Sequence, residues 1–276
     1  MKINGHKIDL SENLVGANFA GADLGNVNLA KFDLRNANLT GANLAYANLS
    51  DANLVGANLT GAVLVHAKLG GAAIASATFV GANLANADLR YLKEILLPLG
   101  KIDGTFFDWL NSESLRQVHL KEPSFPWDLR TDKGLSDWKL PAGPNFSYAN
   151  LVNVDLTEAQ IPRANLSYSN FSGAKLAHCK LTGANLAYAD GSAANLCAAD
   201  LEDAFMSGIL FYGANLSETN LMHSNLSSAK LNGAILSSAN LRFANLSSAV
   251  LWGADLSEAD FENANIANAD FTRTEK

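Results

Sequence analysis

Residues 37–51 have the sequence ANLTG ANLAY ANLSD, in which one five-residue pattern occurs three times in succession. A bulky apolar residue returns at every fifth position from Leu14 to Leu89, which gives 16 repeats in register. The same spacing runs from Phe146 to Phe271 and gives 26 more. Two positions before most of these bulky residues stands a small one, usually alanine, with exceptions such as Val27 and Phe32, and asparagine or aspartate usually lies between the two.

A period of five residues fits neither an α-helix nor a flat β-strand. On a helix, five residues advance by about 500°, so the leucines would spread over every face. On a strand, an odd spacing places successive leucines on opposite sides. Each repeat must therefore contain its own turn, with the alanine and the leucine on the same inner side. Glycine often follows two residues after the leucine, as at Gly41 and Gly61, where a positive φ is favourable for it.

These units resemble those of the pentapeptide repeat family, which follow the pattern A-(N/D)-L-x-x, and the resemblance covers most of the chain. It implies an all-β fold, a right-handed quadrilateral β-helix in which four pentapeptides form one square coil. With that geometry the two arrays predict a pentapeptide repeat solenoid of about ten coils. The family has many functions, so the resemblance indicates a fold more strongly than a role.

The register of the repeats divides the chain into five segments. Residues 1–13 precede the register and are expected to cap the first coil. Array 1 covers residues 14–89, array 2 covers residues 146–271, and a short polar tail covers residues 272–276. Residues 90–145 contain five of the six prolines and three of the four tryptophans. The apolar spacing in this segment predicts a partly α-helical insert that interrupts the β-helix.

Two positions inside array 2 depart from the pattern. Gly191 is the one central position without a bulky side chain, so a small void or a local bend is expected there. Pro162 is expected at a corner, because a proline inside a strand removes a donor from the hydrogen-bond ladder.

Charge and cysteine content narrow the possible partners and location. The net charge is −7, and residues 200–276 hold ten acidic and four basic residues. The chain thus lacks the basic surface that nucleic-acid binding requires. No apolar stretch is long enough to span a bilayer, and the first residues lack the apolar core of a signal peptide. Cys179 is expected inside a coil and Cys197 outside, both unpaired. These features predict a cytoplasmic protein with no nucleic-acid or membrane partner.

The sequence contains no pattern typical of an active site. His178 and Cys179 are adjacent, but neighbouring residues in this repeat point in opposite directions, which argues against a nucleophile and base pair. No His, Cys and carboxylate cluster has the spacing of metal ligands, and no glycine loop suited to phosphate is present. We therefore expect no enzyme, no cofactor, no metal and no small-molecule substrate.

Departures from the repeat are the best candidates for a binding surface, because the repeats themselves give nearly identical faces. Tyr148, Tyr168 and Tyr188 are 20 residues apart and predict an outer ladder with rungs about 4.8 Å apart. The insert concentrates aromatic residues of the kind enriched at interface hot spots: Phe106, Phe107, Trp109, Phe125, Trp127 and Trp138. These nine residues form the predicted protein-interaction site, and packing for stability alone is the alternative.

Three functions fit these patterns. The first is a non-enzymatic, possibly regulatory, protein–protein interaction scaffold that resembles the cyanobacterial pentapeptide repeat proteins and has an unidentified protein partner. The second is a DNA mimic that binds a type II topoisomerase, as members associated with quinolone resistance do. The third is an enzyme with its site in the insert, against which the missing acid and base constellation counts.

Overall fold

The computed structural model describes residues 2–3, 6–7, 14–92 and 143–275. Strand β1 is Lys2–Ile3 and strand β2 is His6–Lys7. They pair antiparallel, with Lys2 opposite Lys7. Within the arrays, adjacent coils are joined by single parallel β-bridges.

The bridges define the coil. They join residues 20 positions apart within each array, as between Asn18 and Asn38 or between Asn43 and Val63. Since 20 residues contain four repeats, each repeat forms one side of a coil and its turn forms one corner. The β-helix expected from the repeat is therefore present. Pro162 lies at a corner, as predicted.

The backbone hydrogen bonds explain why asparagine or aspartate precedes the central residue. In a typical repeat, the first amide closes the preceding turn, while the second, third and fifth pair with the neighbouring coils. The fourth amide lies in the turn and donates to the side chain two residues earlier. Ala45 N, for example, donates to Asn43 Oδ1 at 3.1 Å. A short side chain with an acceptor thus completes the pairing of the repeat's N–H groups.

This account predicts the effect of removing one such acceptor. Asn215 Oδ1 accepts hydrogen bonds from Ser217 N at 3.0 Å and from Ser217 Oγ at 2.8 Å. Asn215→Ala is expected to lower the free energy of unfolding by about 1 kcal/mol, because both donors lose a partner. Asn215→Asp keeps the acceptor and serves as the control in urea denaturation. Equal destabilisation by both substitutions would contradict the role given to the side-chain oxygen.

The interior is a narrow apolar column. The small residue and the central residue of each repeat both point inward, and Ala42, Leu44, Leu226 and Ala229 are all fully buried. Polar residues at the small inward position hydrogen-bond to backbone carbonyl groups, as Ser224 Oγ does to Leu221 O at 2.6 Å. Each coil therefore packs mainly on the coils before and after it.

Aromatic rings from the neighbouring coils fill the space at Gly191 where a void or a bend was expected. Phe171 and Phe211 hold the same position one coil earlier and one coil later, and their rings meet edge to face with centroids 6.1 Å apart. A Cβ atom on Gly191 would lie 2.6 Å from Phe171 Cζ and 2.6 Å from Phe211 Cε1. The expectation of a void was wrong because these two rings take the volume that a leucine would fill.

The two arrays stack directly on one another. Asn145 pairs with Thr78 of array 1 on one side and with Asn165 on the other. Thr78 and Asn145 are 67 residues apart where 20 would be regular, so 47 extra residues lie outside the coil. Phe79 and Phe146 stack across this junction with ring centroids 4.7 Å apart. The arrays therefore form one continuous solenoid.

Coil hydrogen bonds extend slightly beyond the predicted array limits. Leu92 O accepts from Gln160 N at 3.0 Å, and Pro144 O accepts from Asn165 N at 2.9 Å. Fifty residues, 93–142, thus connect two points of one coil that three residues would join in a regular one. The helices predicted for the insert lie outside the described residues.

Candidate interaction surface

The corner residue of each repeat, two positions after the central one, has a positive φ. Glycine takes this left-handed conformation freely, whereas a tyrosine there is unusual. Tyr148, Tyr168 and Tyr188 all occupy such corners, with φ of 59°, 58° and 58°. The fold thereby directs three large side chains outward from one edge of the solenoid.

The three tyrosines form the ladder that the 20-residue spacing predicts. The rings of Tyr148 and Tyr168 are stacked with centroids 5.1 Å apart and planes 4° apart. Those of Tyr168 and Tyr188 are 5.3 Å apart with an angle of 15°. The side chains remain 63%, 51% and 58% exposed in chain order. The faces of the rings contact one another, and their edges and hydroxyl groups face solvent.

The corner position gives each tyrosine of the ladder a backbone cost that stacking offsets in part. A left-handed conformation costs about 1–2 kcal/mol for each residue with a Cβ. Each stacked ring pair returns about 0.5–1.5 kcal/mol. Three corner tyrosines provide two pairs, so the stacking geometry offsets part of the backbone cost, and the apolar area buried between the rings offsets more of it. Glycine would meet the needs of the fold at lower backbone cost, but 29 of the described corners carry a residue with a Cβ, so what distinguishes the tyrosines is the exposed aromatic area they align.

Glycines border the ladder along the same corner. Gly81 holds the corner one coil before Tyr148, and Gly208 holds it one coil after Tyr188. A Cβ atom on Gly208 would lie 2.7 Å from Tyr188 Cε1. The Tyr188 ring therefore lies over Gly208 in space that only a glycine leaves open.

Sequence reasoning missed an extension of this surface. Phe205 and Leu210 flank Gly208 in the chain and occupy positions where asparagine or aspartate is usual. Phe205 is 58% exposed, and Tyr212, two residues after Leu210, is 44% exposed. The signal available in the sequence was the loss of two Asx residues in one coil. We call these side chains the aromatic patch: Tyr148, Tyr168, Tyr188, Phe205, Leu210 and Tyr212.

The other six predicted site residues belong to the insert. They lie outside the described residues: Phe106, Phe107, Trp109, Phe125, Trp127 and Trp138. Their part in binding stays a prediction.

The other chemistry weighed from the sequence finds little support in the geometry. Cys179 is buried and Cys197 partly exposed, and neither forms a disulfide. Burial, and secondarily the nearby Asp200 carboxylate, hold the pKa of the Cys179 thiol far above its usual range, so it is not a ready nucleophile. Among residues 14–92 and 143–275, no three His, Cys, Asp or Glu side chains are grouped as metal ligands. In the same ranges, no helix is long and apolar enough to cross a membrane.

The acidic surface of array 2 does not form a continuous column of carboxylates. Glu202, Met222, Arg242 and Glu262 succeed one another at 20-residue intervals. Arg242 Nη2 lies 2.7 Å from Glu262 Oε2. An apolar side chain and a cation thus interrupt the row that a DNA mimic would need.

The coil geometry, the Asx-capped turns and the alanine and leucine column define a β-solenoid built from five-residue units. The chain belongs to the pentapeptide repeat family, whose description, Pentapeptide repeats, it matches in eight copies. The matched residues are 17–55, 52–90, 143–176, 174–211, 210–237 and 239–274.

Solved structures similar to this chain include HetL, a pentapeptide repeat protein involved in heterocyst differentiation regulation from the cyanobacterium Nostoc sp. strain PCC 7120. HetL is 23% identical over 94% of this chain and 89% of its own, with a TM-score of 0.35. Rfr23 from the cyanobacterium Cyanothece 51142 is 36% identical over 33% of this chain and 63% of its own, with a TM-score of 0.33.

QnrB1, a plasmid-mediated fluoroquinolone resistance protein, is 15% identical over 87% of this chain and 88% of its own, with a TM-score of 0.37. No curated protein sequence is significantly similar to this chain.

Proposed function

We propose that this protein is a non-enzymatic protein–protein interaction scaffold with a regulatory role. In this proposal a right-handed β-helix of about ten coils, with a partly helical insert, presents the aromatic patch to a protein partner. The free cysteines support a cytoplasmic location as part of the proposal.

The observation that carries the proposal is the exposed tyrosine ladder at positions where the backbone favours glycine. Tyrosine is enriched at interface hot spots. It offers a large contact area and a polar tip, and it loses little side-chain entropy on binding. Stacking holds Tyr168 between Tyr148 and Tyr188, so these rings are already ordered before a partner arrives. That order lowers the entropic cost of association.

The insert supplies the second part of the proposed surface. A repetitive solenoid presents similar sides to all partners, so specificity requires features outside the repeat. The aromatic residues Phe106, Phe107, Trp109, Phe125, Trp127 and Trp138 are concentrated in this segment. We assign them to recognition of the same partner.

Partner capture from native lysate, followed by affinity measurement with the recovered protein, tests the role of the ladder. The variant Tyr148→Asn/Tyr168→Asn/Tyr188→Asn removes the rings and retains a residue that tolerates the left-handed corner. We expect binding to weaken by about tenfold or more, the loss of one hot spot. The unfolding midpoint should change little, because the variant loses the ring stacking but relieves the backbone cost at three corners.

Tyr46→Asn is the matched control. Tyr46 is also a corner tyrosine with φ of 59°, is 58% exposed, and stacks on His66 at 4.9 Å. If Tyr46→Asn weakened binding as much as the triple variant, the effect would come from exposed aromatic surface in general, and the ladder would have no specific role. Unchanged binding in the triple variant would remove the ladder from the site.

Exchange of residues 93–142 for three residues tests the insert separately. Because Leu92 and Gly143 belong to one coil, the solenoid should keep its β circular dichroism after the exchange. We expect partner capture to be lost. Capture at full strength would confine the binding surface to the coils.

A further inference from the structure

A second exposed surface lies on another part of array 2. The turns at Met222–His223 and Arg242–Phe243 are one coil apart and belong to the side whose central residues are Leu221 and Leu241. The His223 and Phe243 rings stack with centroids 5.0 Å apart and planes 17° apart. Phe243 is 46% exposed. Both residues occupy corners with φ of 58°, so two rings again stand where the backbone favours glycine. We call Met222, His223 and Phe243 the ring strip.

Carboxylates surround the ring strip. The coil before it contributes Glu202 and Asp203 in the equivalent turn, and the coil after it contributes Glu262. This side and its two corners hold seven of the ten acidic residues beyond residue 199 and one of the four basic residues. The seven are Asp200, Glu202, Asp203, Glu218, Glu258, Asp260 and Glu262. The remaining sides of these coils carry no comparable excess of one sign.

Most of this negative charge has no cationic partner on the same side. Asn220 Nδ2, a neutral donor, lies 3.2 Å from Asp200 Oδ1 and 3.3 Å from Glu202 Oε2. Arg242 is the one cation, and it lies 2.7 Å from Glu262 Oε2 and 3.8 Å from Asp260 Oδ2. A net negative potential therefore surrounds an exposed apolar centre.

From this arrangement we infer that the ring strip and its carboxylates bind a Lys/Arg-rich segment of a partner protein that also carries apolar side chains. An apolar side chain of the segment packs on Phe243 and Met222, while its cations face Glu202, Asp203 and Glu262. Charge complementarity selects the sign of the partner and accelerates its association. The apolar centre requires more than positive charge, and this distinguishes the surface from a row of carboxylates that imitates phosphates. This inference does not rest on the aromatic patch, whose three ladder tyrosines stand at a different corner.

Two synthetic peptides test the inference with the full chain. One alternates arginine and leucine over nine residues, and the other has serine in place of every leucine. We expect fluorescence anisotropy to show tighter binding of the arginine–leucine peptide. Phe243→Asn keeps a residue suited to the corner. It should lower the affinity for that peptide by about tenfold, which corresponds to the loss of one hot-spot side chain. It should leave the arginine–serine peptide unchanged.

Removal of charge gives the second half of the test. The double variant Glu202→Gln/Asp203→Asn should lower the affinity for both peptides and make binding less dependent on salt concentration. The matched controls are Glu158→Gln, three coils before Glu218 on the same corner, and Tyr46→Asn, on another corner; both lie away from the ring strip and should have no effect. Equal affinity for the two peptides, or no effect of Phe243→Asn, would mean that only electrostatic attraction contributes to binding, and this would overturn the inference. Equal losses in the controls would overturn it as well.

Discussion

Replacement of Gly191 by leucine is expected to lower the free energy of unfolding by about 1–3 kcal/mol, although leucine is the residue that the repeat prefers there. The cause is the pair of rings already in that space, since even a Cβ atom would lie 2.6 Å from both Phe171 and Phe211. Urea denaturation followed by β circular dichroism measures the change.

The same geometry predicts a rescue. Phe171→Leu/Phe211→Leu alone should destabilise the protein, because it leaves the cavity that the sequence pattern first indicated. Addition of Gly191→Leu to that pair restores three successive leucines and should recover most of the loss. A triple variant no more stable than either parent would show that the rings and the glycine are not coupled.

Truncation of a central leucine should have the largest effect of any single change considered. Leu226→Ala and Leu44→Ala are each expected to cost about 2–5 kcal/mol in the free energy of unfolding. Both leucines are fully buried, and the coils on either side are fixed by backbone hydrogen bonds, so the column has little freedom to close over a cavity. The opposite change, Ala47→Leu, should overpack the column and cost about 1–3 kcal/mol.

Leu210→Ala is the control for this prediction. Leu210 points outward and is only partly buried, so its truncation should change stability much less. Thermal and urea unfolding of the three leucine variants give the comparison. If Leu226→Ala and Leu210→Ala had equal effects, the division into inner and outer positions would be contradicted.

The positions of side chains within single repeats were predictable because the period of five admits few solutions. It fixed which residues point inward, as at Cys179, and which stand at corners, as at Pro162. The tyrosine ladder followed in the same way, because residues 20 apart in a four-repeat coil must be neighbours. The period and the number of repeats in a coil were enough for these conclusions.

Features that depend on contacts between coils were harder to predict. The repeat pattern at Gly191 shows only that a bulky side chain is missing. The side chains that fill the space belong to Phe171 and Phe211, each 20 residues away in the sequence. Phe205 and Leu210 were overlooked because they occupy an outward position where most residues form turn-capping hydrogen bonds. For the insert, a shift of phase between the arrays was visible, but the sequence does not say that Thr78 and Asn145 pair directly.

The junction between the arrays has a thermodynamic consequence. Fifty residues stand where three would close the coil, yet Phe79 and Phe146 stack across it as other neighbouring coils do. For a flexible loop, each doubling of length costs only about 0.6 kcal/mol, so four doublings add about 2.5 kcal/mol. One buried leucine can contribute as much. A corner of this solenoid is therefore a place where additional sequence can be accommodated at small thermodynamic cost, while the coils on either side keep their pairing.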